Sequence, residues 1–180
     1  MDNIIPVAVG GILAILGGAF AQWVTHRFNA KRERHKLLRE KAEAICVEVD
    51  RLVRWMGERR NKSFALEHDS DMHPPFGMLV ALQSLYFKEA SPEVENLGNK
   101  ATAFLNALSR SYALLLSAKL DMEIEQKMGR DTGGVIAAYH RVSDEQISAI
   151  SPLGQEFVGA STQVTAKIVS LVVTKTNGGN

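Results

Sequence analysis

The sequence predicts an all-α protein, with one N-terminal transmembrane helix over residues 4–25 followed by a cytoplasmic antiparallel bundle of four or five helices. Three observations predict it. Ile4 to Val24 is a run of twenty-one residues without a charge, in which Gln22 is the only strongly polar side chain. After it, apolar residues recur every three or four positions over long stretches, the period of a helix with one buried face. No stretch alternates apolar and polar residues between turn signals, as a half-buried strand would.

The apolar run is long enough to cross a bilayer core at about 1.5 Å of rise per residue. No Lys or Arg precedes it, whereas seven lie between Arg27 and Lys41. A cleaved signal has the reverse order, with its positive charge first, so the run reads as a retained anchor. The charge asymmetry places the basic side in the cytoplasm of a bacterial-type inner membrane and the short N-terminus, residues 1–3, outside. A buried core helix is the competing explanation, and both length and flanking charge favour a span.

The anchor holds more than a tether needs. Gly10, Ala14 and Gly18 fall four apart, Gly17 and Ala21 do the same beside them, and Gln22 extends the first row. Small residues at this spacing let two helices approach closely in lipid, and Gln22 can hydrogen-bond across such a contact. This face is the candidate for self-association into a homo-oligomer. Trp23 stands at the inner end, where an indole suits the headgroup region. Arg27, Lys31, Arg32, Arg34 and Lys36 follow as candidate contacts to anionic lipid.

The chain has 180 residues and a formal net charge of +1, enough for an anchor and one domain with a real core. Charge is unevenly spread. Residues 26–41 hold +5 and Asp2 −1, which leaves −3 for residues 42–180. That balance offers no basic surface, and no nucleic-acid partner is expected. A single cysteine, Cys46, excludes an internal disulfide and fits a reducing compartment. In its helix it reads as a small, mostly buried apolar residue.

Taken in order, Asn29 to Arg60 contains good helix formers and no proline, with Gly57 its weak point. Leu38, Ala42, Ile45, Val49, Leu52 and Met56 form a heptad-type seam, which Cys46 and Val53 widen. The anchor is expected to continue into this helix without a break. Residues 61–75 are polar and end in Pro74-Pro75, the signature of a connection. Phe76 to Phe87 is apolar nearly all round, which predicts a helix central in the fold or covered by a partner. Ser91-Pro92-Glu93 reads as a helix start with Ser91 as N-cap. The helix it opens has a seam from Val94 through Leu97, Ala101, Phe104, Leu108, Ser111, Leu115 and Ala118 to Met122, and breaks at Gly129. A further helix is expected over 135–149. Ser151-Pro152 then repeats the start signal, ahead of a last stripe of Leu153, Phe157, Ala160, Val164, Ile168 and Leu171. Residues 177–180 read as a disordered tail.

The densest polar cluster, His68, Asp69, Asp71 and His73, lies in the connection. These are ordinary ligand types for a divalent metal, but their spacing matches no zinc pattern and a loop supplies no scaffold. A solvated linker is the preferred reading. There is no P-loop, no Gly-x-Ser-x-Gly elbow and no His-Glu-x-x-His. No catalytic residue and no cofactor are therefore expected.

The plan is similar to membrane effectors of bacterial antiphage systems, which disrupt the membrane when a sensor domain is triggered. The similarity is one of architecture, without a shared motif. It implies a non-enzymatic, self-associating interaction or sensing module gated by a cytoplasmic protein or small ligand. A passive scaffold is the alternative, and a metal-dependent hydrolase built on the His68–His73 loop is the third reading.

Overall fold

The structure is a computed structural model, and it describes residues 4–67, 73–129 and 133–177, with side chains from residue 17 to residue 176 of these. Its described residues are helical, without strands. They form four α-helices and one short 3-10 turn: α1 (Ile4–Phe64), α2 (Gly77–Tyr86), the 3-10 turn Lys88–Ala90, α3 (Ser91–Lys127) and α4 (Gly133–Asn177). Two compact units divide the chain, Met1–Glu40 and Lys41–Asn180.

In the first unit α1 presents exposed aromatic side chains. Phe20, Trp23 and Phe28 are more than half exposed, and the Phe20 and Trp23 ring centroids lie 6.1 Å apart. The α1 helix is continuous over 61 residues, as expected for a segment with no proline after Pro6. It also outruns the expected end at Arg60. It stops at Phe64 through a Schellman cap, in which Glu67 donates its amide to the Lys62 carbonyl at 3.0 Å and Leu66 donates to Ser63 at 3.3 Å. Leu66 takes φ +55° to close that cap, a left-handed conformation usually given to glycine.

All six residues of the α1 seam, Leu38, Ala42, Ile45, Val49, Leu52 and Met56, are buried. On α3 the expected seam is buried from Val94 to Leu115 and becomes half-buried at Ala118 and Met122. α3 and α4 run antiparallel. Their cross-contacts descend along α4 as they ascend along α3: Glu93 with Lys167 at 3.6 Å, Lys100 with Glu156 at 2.7 Å, Phe104 stacked on Phe157, and Ser111 donating to Gln146 at 2.7 Å. Solvent-exposed pairs of this kind contribute about 0.2–1 kcal/mol each. The seam residues contribute far more, about 1.5–3 kcal/mol for each fully buried aliphatic or aromatic side chain.

Several expectations are corrected. The two helices expected over 135–149 and from Ser151 are one, and Pro152 lies inside α4. Buried Ile150 and Phe157 bracket the proline, so packing on both sides holds the helix together where the ring removes one backbone bond. Ser91 is the first residue of α3 rather than its cap; Ala90 holds the cap position, without a side-chain hydrogen bond. α2 is not buried all round. Leu79, Leu82 and Gln83 face the interior, while Met78 and Leu85 are more than half exposed. Residue 177, expected in a tail, still belongs to α4.

Among the described residues, one helix is long and apolar enough to cross a membrane, and it is α4 over Gly133–Thr176, with a mean hydropathy of 1.3 in its richest window. The sequence reading placed the spanning helix at the N-terminus. The last stripe, read as a bundle face, passes the same test because α4 carries small and β-branched residues on its outer side as well. Most of the run Ile4–Val24 has its side chains outside the described residues.

Candidate functional site

A concavity lies in the second unit, where the end of α1 meets α3 and α4. It is a half-open cleft of about 820 Å³ lined by fourteen residues. Its floor is apolar: Met56 from α1, Phe104 from α3, and Ile150 and Phe157 from α4, all buried. The Phe104 and Phe157 rings stack with centroids 6.3 Å apart and planes 5° from parallel. A Cβ at Gly154 would sit in ordinary contact with the Phe104 ring, 3.4 Å from Cε2. Gly57 of α1 also lines the cleft, and a Cβ at that position would meet nothing within 4 Å. Both glycines line the cleft without adding side-chain bulk. Ser63 donates to the Leu108 carbonyl at 3.2 Å and ties the end of α1 to α3 beside it.

The rim carries Arg60, Asn61, Ser151 and Gln155. Arg60 is the one charged residue lining the cleft, and no carboxylate lines it. Neighbouring Arg59 is buried and lays its guanidinium over the Trp55 ring at 4.7 Å. Sequence reasoning missed this site. Gly57 read as a weak point of a helix and Ser151 as a cap. Gly57 and Gly154 lie far apart in sequence, and their sharing of one cleft is invisible along the chain.

A second polar cluster sits at the turn between α2 and α3. Lys175 donates to the Tyr86 carbonyl at 3.2 Å, pairs with Glu89 at 3.0 Å and lies over the Phe87 ring at 5.5 Å. The Glu89 carboxyl is held below the usual range, first by its own backbone amide and then by Lys175. Buried Gln83 donates to the Phe87 carbonyl at 3.2 Å. Every partner here closes the fold, so this is a structural clasp.

The residues singled out from sequence divide as follows. Gly17, Gly18, Ala21 and Gln22 are exposed on α1, and a Cβ at Gly17 or Gly18 would meet nothing within 4 Å. Gly10 and Ala14 lie in α1 with side chains outside the described residues. Arg27, Lys31, Arg32, Arg34 and Lys36 are all exposed. Arg27 rests over the Trp23 ring at 5.4 Å, and Lys36 approaches Glu40 at 3.9 Å. His68, Asp69 and Asp71 lie outside the described residues, and His73 is exposed. Among the described residues no three His, Cys, Asp or Glu side chains are grouped to hold a metal ion. Cys46 is partly buried. Burial pushes its thiol up, and Glu43 adds to the shift, so it is a poor nucleophile.

Comparison with known protein families, with curated proteins and with solved structures finds no match.

Proposed function

We propose that this chain is a non-enzymatic, single-pass inner-membrane protein whose cytoplasmic helical bundle works as a self-associating interaction or sensing module. The observation that carries this reading is the set Phe20, Trp23 and Arg27, which stands exposed at the inner end of a charge-free run. Aromatic rings with a cation beside them match the headgroup layer, where one side is apolar and the other wet. In water, the same exposed rings are unfavourable.

The anchor is placed at residues 4–25 and not in α4. The α4 helix uses one face against α3, and its Glu156, Lys167 and Lys175 are engaged in ion pairs. Charges within a lipid-facing segment are costly. Beyond the anchor, the basic residues from Arg27 to Lys36 supply the contact with anionic lipid. The open helix surface at Gly17, Gly18 and Ala21 supplies the self-association face.

The cleft is the ligand end of the module. α1 contributes both to that cleft and to the small-residue face, and we assign it the coupling between them. Ligand binding biases how copies pack in the membrane, as in an effector gated by a cytoplasmic signal. A passive scaffold is the second reading, favoured by the exposed apolar side of α2 at Met78 and Leu85, a surface suited to holding a partner.

Light scattering of the full chain in detergent, beside a fragment beginning at Arg27, tests the assembly. The module predicts a defined oligomer for the full chain and a smaller species for the fragment. Gly18→Leu should then reduce the full-chain mass. Monomers in both cases would eliminate the effector reading.

A further inference from the structure

We propose that the cleft between α1, α3 and α4 binds a single-chain fatty carboxylate, with the acyl chain along the accessible apolar lining of Val53, Phe64, Ile147 and Val158 and the carboxylate on Arg60. The assignment rests on reading the cleft as the ligand end of the module, and goes further by naming the chemistry.

Charge is the first argument. Arg60 is the single ionic group of the cleft, is exposed, and makes no hydrogen bond or ion pair among the described residues. Asn61 and Gln155 add neutral amide donors on the same rim. A guanidinium fork opposed by no acid selects a carboxylate, which accepts two parallel hydrogen bonds. The floor of Met56, Phe104, Ile150 and Phe157 has no partner for a second charge, so the rest of the ligand is apolar.

Size is the second. About 820 Å³ lies within the ~300–1,000 Å³ typical of small-molecule sites. A protein partner engages about 20–30 residues on each side, whereas fourteen line this cleft. The walls are helices whose backbone groups are already bonded, so they offer an extended peptide no edge to pair with. Gly57 and Gly154 add no side-chain bulk to the lining, which leaves room for an acyl chain.

Equilibrium binding of tritiated dodecanoate to the full chain in phosphatidylcholine nanodiscs tests the site, with empty discs as the blank. The expected result is saturable binding at one per chain. Arg60→Glu, at an exposed position, should weaken it about tenfold or more, and dodecanol should bind correspondingly more weakly than the acid. Gly57→Leu, which fills the cleft from a helical position with open space, should abolish binding while circular dichroism stays unchanged. Absence of saturable binding above empty discs overturns the proposal, as does full affinity in Arg60→Glu. A photo-crosslinker placed at residue 57 that joins one copy to another names a second chain as the occupant and also overturns it. Oligomeric mass is a separate readout. No binding by a defined oligomer defeats this assignment alone, and binding by a monomer supports it while defeating the assembly reading.

Discussion

Leu52 lies on the α1 seam with no exposed surface. Truncation there removes buried methyl groups and leaves a void between helices that cannot fully collapse, so Leu52→Ala should cost about 2–5 kcal/mol, read by urea unfolding. Two glycines give opposite signs. Gly57 sits inside α1 where an added Cβ meets nothing, and Gly57→Ala should stabilise by about 0.5–1 kcal/mol through helix propensity alone. Gly129 takes φ +68° just beyond α3, where Gly129→Ala should destabilise by about 1 kcal/mol because a Cβ crowds the left-handed region. Melting curves of the two variants should move in opposite directions. The Gly129 break was legible, since glycine after the last periodic residue is a stop signal. The stop at Leu66 was not. It uses a left-handed leucine, and no residue type marks it.

At the scale of the element, α4 is the instructive case. Ser151-Pro152 has the residue types of a helix start, and the same pair at Ser91-Pro92 does lie at one. At 151 the helix runs through, because Ile150, Phe157 and Ala160 already hold both halves against α3. Local preference is outweighed there by several buried side chains, at about 1.5–3 kcal/mol each, against up to about 3 kcal/mol for an interior proline. Pro152→Ala should therefore stabilise the protein by up to about 3 kcal/mol and raise the melting temperature, since the exposed ring leaves no cavity behind. α2 teaches the converse. Its apolar composition predicted a helix central in the fold or covered by a partner; it is not central, and Met78 and Leu85 are more than half exposed, because a ten-residue helix laid on the surface has neighbours along one side.

For the whole molecule, the predictions concern the membrane. Changing Arg27, Lys31, Arg32, Arg34 and Lys36 together to Gln removes five exposed cations. Each contributes about 1 kcal/mol near an anionic surface. The variant should lose its preference for phosphatidylglycerol over phosphatidylcholine liposomes in flotation, and its orientation in the membrane should become mixed. Exchanging residues 4–25 for an unrelated transmembrane helix separates the two functional readings: a scaffold keeps its partner, while an effector loses its response.

The sequence by itself determined the helical class, the α1 seam from Leu38 to Met56 and the α3 seam from Val94 to Leu115, because a 3.6-residue period is a property of neighbours along one chain. It also determined the charge asymmetry on which the proposed topology rests. Only the tertiary structure decided that residues 133–177 form one helix, that Gln83 and Lys175 clasp the turn before α3, and that Gly57, Arg60 and Gly154 line one cleft. Those features join residues up to about a hundred positions apart, and what each side chain meets is set by packing through space, which no local pattern encodes.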